Sequence, residues 1–193
     1  MRTLRAIEFV SLDGVIQAPG HPDEDTEGGF RHGGWQRDYV DDVLGAAAAE
    51  GMAGTDAYLF GRKTYAAMAA YWPTVPDDDP YARHLNTTPK YVASRTLRDV
   101  AWNGSTVIDG DVGTAVAALK RQTGGNIAVL GSGELVRTLF AHDLVDEFFI
   151  TVFPIVIGNG KRLFGAADRP AKLSLVASRA TSTGGVMLTY RRA

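Results

Sequence analysis

The chain has no cysteine and only four histidines, which removes much ordinary chemistry. Without thiols there is no disulfide framework, no thiolate nucleophile and no Cys-ligated metal. His21, His32, His84 and His142 show no metal-ligand spacing, so no metal site is expected. An excess of one charge is also missing. The 20 Lys and Arg stand against 22 Asp and Glu, a net charge of −2, which argues against nucleic-acid binding through a basic face. No apolar run approaches membrane-span length, and Met1 to Glu8 reaches polar residues too early for a signal peptide. The expectation is a soluble, cytoplasmic protein whose partner is a small molecule.

Several site motifs are absent too. No G-x-x-x-x-G-K-[ST] is present, which disfavours a P-loop nucleotidase, and no G-x-S-x-G elbow marks a serine hydrolase. Gly131-Ser132-Gly133 runs on into Glu134, Leu135 and Val136, so the full G-x-G-x-x-G of a Rossmann site is missing.

What is present suits one domain: 193 residues at 45% hydrophobic content, enough to bury about 70% of the unfolded surface. Residues 3–12 read as a first strand, with Glu8 set between Ile7 and Phe9. A long polar segment, Gln17 to Gly34, follows, and connections of that length are usually functional or mobile. From Trp35 the pattern turns helical, with Val40, Val43, Leu44, Ala47 and Ala48 on one stripe. Strands at Ala57–Phe60, Lys90–Ala93, Ser105–Ile108 and Asn126–Leu130 alternate with helical patterns, which calls for parallel pairing through crossovers. Val145 to Val156, Lys172 to Arg179 and Val186 to Arg192 have no helix between them and should pair antiparallel. The prediction is one α/β domain, a mixed sheet with helices on both faces.

Three strand ends carry the candidate site. Gly61-Arg62-Lys63-Thr64, Ser94-Arg95 and Gly131-Ser132-Gly133-Glu134 each close a proposed parallel strand, and ligands of open α/β sheets sit at such carboxyl ends. The glycines permit close backbone approach, and Arg62, Lys63 and Arg95 suit phosphate. Helices opening after Gly61 and Gly131 add two positive dipole ends. Each piece taken alone is also compatible with an ordinary loop. Their repetition in an acidic chain points to a ligand bearing several phosphates.

At this point the ordered set of motifs resembles the dihydrofolate reductase-like superfamily, more closely the reductase domain of bifunctional riboflavin-biosynthesis proteins and its stand-alone bacterial relatives. Ser11-Leu12-Asp13-Gly14-Val15-Ile16, Gly61 to Tyr65, Val92 to Arg95, Val129 to Glu134 and Leu144 through Gly160 carry the resemblance over residues 1–193. It implies a three-layer α/β/α fold that binds NADPH and transfers a hydride to a pterin-like compound or a ribosylaminopyrimidine. Gly61, Arg62, Lys63, Thr64, Gly131, Ser132, Gly133 and Glu134 would hold the pyrophosphate. Ser94 and Arg95 would lie near the 2′-phosphate, and Gly14, Val15 and Ile16 near the nicotinamide. The zinc-deaminase signature of a complete bifunctional enzyme is lacking.

Hydride transfer often needs an acid, and two carboxylates compete for that role. Asp41 flanks the apolar stripe of the first helix. Glu8 either faces a cleft, where burial would raise its pKa, or sits solvated or paired with an arginine. Trp35 is a candidate substrate wall or a helix staple. Thr151 is a candidate substrate contact or a structural strand threonine, and Lys161 or Arg162 would meet a substrate phosphate. The apolar Val145–Val156 run suggests a homodimer surface. A non-catalytic nucleotide- or flavin-binding protein on the same fold is the alternative to the reductase.

Overall fold

Leu4, Ala6, Glu8 and Val10 are buried and alternate with more exposed neighbours along β1 (Leu4–Ser11), the two-residue period of a strand. In the computed structural model, which describes residues 1–165 and 170–193, β1 lies inside an eight-stranded sheet. Its partners are β2 (Thr55–Gly61), β3 (Lys90–Ala93), β4 (Ser105–Ile108), β5 (Asn126–Leu130), β6 (Glu147–Phe153), β7 (Leu173–Ala180) and β8 (Val186–Arg192). The order is β4-β3-β2-β5-β1-β6-β8-β7. Neighbours from β4 to β6 pair in parallel, and β8 runs antiparallel to both β6 and β7.

Among the described residues five α-helices cover the two faces: α1 (Asp42–Ala53), α2 (Arg62–Tyr71), α3 (Pro80–Thr87), α4 (Val112–Arg121) and α5 (Gly133–Ala141). On one face α4 and α5 bury Val116, Leu119, Val136 and Leu139 with Leu4, Ala6 and Leu59. On the other, α2 and α3 set Tyr65 and Leu85 with Tyr58, Phe60 and Val92. There α1 adds Leu44 beside Phe153 and Met187. Each fully buried aliphatic or aromatic side chain contributes about 1.5–3 kcal/mol. The three-layer, mostly parallel architecture with its antiparallel C-terminal strands is the one expected.

Three local expectations are corrected. The first helix begins at Asp42 rather than Trp35, because extended backbone at Asp41 and its side-chain cap on Leu44 N set the start. Residues 76–80, expected as an acidic loop, end in the Asp79 cap and first-turn Pro80 of a helix, α3. The Val145–Val156 run is a strand over Glu147–Phe153 only. It is interior to the sheet, with β1 on one side and β8 on the other. Its first residue is a buried acid that joins three strands, Glu147 accepting from Arg5 Nε at 2.7 Å and Arg191 Nε at 2.8 Å. No helix among the described residues is long and apolar enough to cross a membrane.

Candidate active site

The β1–β5 register stops at Ile7↔Leu130, whereas β1 and β6 stay paired to Ser11↔Phe153. β1 therefore outruns its neighbour, and Phe9 onward has no β5 partner. This notch sits where β5 turns into α5. Around it runs a cleft of about 1020 Å³, lined by residues far apart in sequence. All three predicted strand ends meet there: Gly61 to Thr64, Ser94 and Arg95, and Gly131 to Glu134. A Cβ placed on Gly131 would lie 3.7 Å from Thr64 Cγ2, and one on Gly61 would lie 3.5 Å from Ser132 Cβ, so the β2 and β5 turns are in contact.

The serines do something other than wait for a ligand. Ser132 holds φ +63° in the left-handed region, uncommon for a residue with a Cβ. Its hydroxyl accepts from Gly61 N at 3.0 Å and donates to Leu130 O at 3.3 Å, which ties the two turns together. Ser94 Oγ accepts from Thr96 N and Leu97 N and shapes its own loop. Donors for an anion come instead from the backbone. Neither α2, which starts after Gly61, nor α5, which starts after Ser132, has a side chain hydrogen-bonded to its first turn as a cap. The first amides at each helix start lack an intrahelical partner, that of Gly61 being held by Ser132 Oγ. Arg62 and Arg95 also line the cleft, and neither makes a salt bridge among the described residues. Lys63 differs, because its ammonium is paired with Glu27.

That pairing belongs to the long loop after β1. Trp35 Nε1 donates to Gln17 O at 2.8 Å, and Gln17 Nε2 donates to the carbonyls of Asp25 and Glu27. Lys161 meets Asp25 at 2.6 Å and also Glu27. The loop is thereby fastened across the cleft, which it lines through Gln17, Pro19 and Asp25.

Strand alternation divides the cleft walls. Ile7 and Phe9 point to the α1–α2 side, where Leu44, Met52, Met68 and Tyr81 complete an apolar chamber. Glu8 points to the opposite side of β1, with Ala6 and Val10. It is 2% exposed, and its Oε1 has no hydrogen-bond partner among the described residues. Burial raises its pKa to about 8, opposed in part by the Arg137 charge. Glu8 is thus a protonated acid at neutral pH, at the notch.

The remaining candidates lie elsewhere. Asp41 is not on the cleft: its carboxylate caps α1 and accepts from Ser182 N, Ser182 Oγ and Thr183 N. The Ser182 hydroxyl and the Leu44 amide hold its pKa down, to about 2. An acid so engaged is a structural brace and not a proton donor, which corrects the sequence expectation. Trp35 is a staple rather than a wall, edge-on to Phe153 in the core. Thr151 is fully buried away from the cleft, its hydroxyl unpartnered among the described residues. Of Gly14, Val15 and Ile16, only Ile16 lines the cleft. Val15 is in the core and bridges to Arg162. Sequence reasoning missed the chamber residues Tyr58, Met52 and Tyr81, and it missed Arg137, whose helical frame alone gave no sign of its strand-β1 neighbour.

Comparison with known proteins agrees with this geometry. The family model described as RibD C-terminal domain matches residues 2–187. Two uncharacterized Bacillus subtilis proteins are similar over 138 residues. YyaP is 32% identical, over 70% of this chain and 73% of its own length. YwjB is 30% identical, over 72% and 74%. Among solved structures, one provisionally assigned to riboflavin biosynthesis, from Shewanella sp. PV-4, superposes with TM-score 0.71 at 24% identity, covering 99% of both chains. A pyrimidine reductase-like protein from Corynebacterium diphtheriae gives 0.67 at 17%, covering 99% of this chain and 92% of its own. The fold is the dihydrofolate reductase-like one of these neighbours, and with a match over nearly its whole length the chain belongs to the RibD C-terminal domain family.

Proposed function

We propose that this chain is an NADPH-dependent reductase that transfers a hydride to a small heterocyclic substrate. The observation that carries the reading is the meeting of two uncapped helix starts with Arg62 and Arg95 around one cleft, beside a notch in the sheet. That donor set fits a dinucleotide bearing an additional phosphate. Helix-start amides and guanidinium groups both favour anions, and the glycines at 61 and 131 leave the backbone open to close approach. Family membership supports a reductase in general terms; the choice of NADPH rests on these residues.

In this reading Gly61 to Thr64 and Gly131 to Glu134 hold the pyrophosphate, and Ser94 and Arg95 hold the adenosine end. When bound, the cofactor supplies the hydride; the protein supplies orientation and a dry chamber. Ile7, Phe9 and Ile16 shape the notch and exclude water. Glu8, which lines the cleft at the notch from the α5 side of β1, keeps a proton at its carboxyl near neutral pH and is the proposed proton reservoir.

Titration with NADPH and NADH tests the cofactor assignment. NADPH should bind more tightly, and equal or tighter NADH binding would remove it. NADPH oxidation across pterins, quinones and aminopyrimidines tests turnover. Glu8→Gln should then cut turnover while leaving NADPH affinity intact, and unchanged turnover would eliminate that role. Stability gives a second readout of Glu8. Its folded pKa lies above the unfolded value, so its contribution is full below pH 4.5 and lost as pH rises through about 8. The wild type should weaken over that window by at most about 1.4 kcal/mol per pH unit relative to Glu8→Gln.

A further inference from the structure

The ionic groups of the cleft are unevenly distributed. Arg62, Arg95 and Arg137, which make no salt bridge among the described residues, all belong to the strand-end side, on α2, the β3 turn and α5. Among the described residues, the cations on the chamber side already face carboxylates. Arg5 is bound to Glu147 at 2.6 Å. At the chamber mouth Lys161 is held by Asp25 and Glu27, and Lys63 by Glu27. Arg162, off the cleft, leans on Asp13 and the Gly158 carbonyl. Among the described residues no carboxylate projects from the chamber face of α1, which presents Leu44, Ala47, Ala48 and Gly51. Glu24 and Glu50 also line the cleft but are exposed, Glu24 accepting from Gly20 N and His21 N and Glu50 lying near Arg179. The polar atoms that remain are hydroxyls such as Tyr58 Oη, which is bonded to His84 Nδ1 at 3.0 Å.

A buried phosphate without a cation is strongly disfavoured, and so is a protonated ring nitrogen without an anion. We infer that the hydride acceptor is a neutral, unphosphorylated planar ring, held by apolar contact with Ile7, Phe9, Met52, Met68 and Tyr81. This rests on the reductase reading and narrows its substrate. A phosphate ester that reaches Lys161 or Lys63 competes with Asp25 and Glu27, two carboxylates already in contact with those ammonium groups.

The test is a set of equilibrium titrations with matched probes, a ribosylaminopyrimidine against its phosphate ester and naphthoquinone against naphthoquinone sulfonate, with and without saturating NADPH. The neutral member of each pair should bind at least about ten-fold more tightly, a difference of about 1.4 kcal/mol, and the ratio should change little with salt. Tighter, salt-sensitive binding of the anionic members would overturn the inference, as would failure of every probe to bind. In Asp25→Asn/Glu27→Gln, where both lysines are released, affinity for the phosphate ester should rise several-fold. No rise would overturn the claim that these acids mask them. Titrations without NADPH keep the two readings apart. A protein that prefers neutral rings but binds no NADPH loses the reductase assignment and keeps the specificity.

Discussion

The helices fall into two groups by how they begin. α1, α3 and α4 each open on an aspartate, Asp41, Asp79 and Asp111, whose carboxylate accepts from first-turn amides. α2 and α5 open on Gly61 and Ser132, with no side chain bonded to the first turn as a cap. A cap typically contributes about 1 kcal/mol, and the sequence supplies one at each helix start that does not open from the cleft's β2 and β5 turns. The starts left open are those of the β2 and β5 turns, where a carboxylate would occupy the place of an anionic ligand; the start of α4 also lines the cleft, through Asp111 and Val112, and keeps its cap. Stability and binding thus draw on the same amides, so a helix can serve one fully or the other.

The contrast breaks most severely at Gly131. Its φ of +54° favours glycine, and the turn it forms aims the start of α5. Gly131→Val should weaken NADPH binding on the order of a hundred-fold, since a side chain both strains the turn and fills the approach to the backbone. Retained affinity, measured by titration, would mean that the open starts are not the phosphate site. Arg95→Ala comes next. Loss of one charge-assisted contact should cost about 1.5–3 kcal/mol of NADPH affinity while NADH binding stays nearly constant. Equal losses for both cofactors would move Arg95 away from the extra phosphate.

Much of this was legible in the residues. Strands rich in β-branched and aliphatic side chains, each closed by glycine or serine and followed by a helical stripe, gave the layer order and the converging turns at Gly61, Ser94 and Gly131. The roles of polar side chains were less legible because they depend on contacts across long sequence separations. Asp41 looked like a pocket acid until Ser182 and Thr183, some 140 positions away, were seen to claim its carboxylate. Lys63 looked free until Glu27 was found beside it. Glu8 was recognisable as costly in an apolar strand, but the side of β1 it faces was not, since direction depends on which helix covers each face. The Asp79-Pro80 start of α3 was a readable signal, hidden within an acidic run.

The capped group gives the smaller effects. In Asp41→Ala the wild-type contribution at stake is present above the ordinary aspartate value and lost as pH falls through about 2. The variant should therefore melt a few degrees lower at neutral pH, with the gap closing in acid and NADPH affinity unchanged. Asp79→Ala should be milder still, because Asp79 Oδ1 accepts only from Tyr81 N and Ala82 N on an exposed helix start, and the loss should be about 1 kcal/mol. The informative pairing is this variant with Gly61→Asp, which writes a cap onto α2. If open starts exist for the ligand, Gly61→Asp should hold or raise the melting temperature of the ligand-free protein and abolish the rise that NADPH produces. Asp79→Ala should do the reverse, lowering the baseline and leaving the rise intact. Should both variants shift baseline and rise together, caps and ligand would not be competing for the same amides, and the division between the two groups of helices would carry no functional meaning.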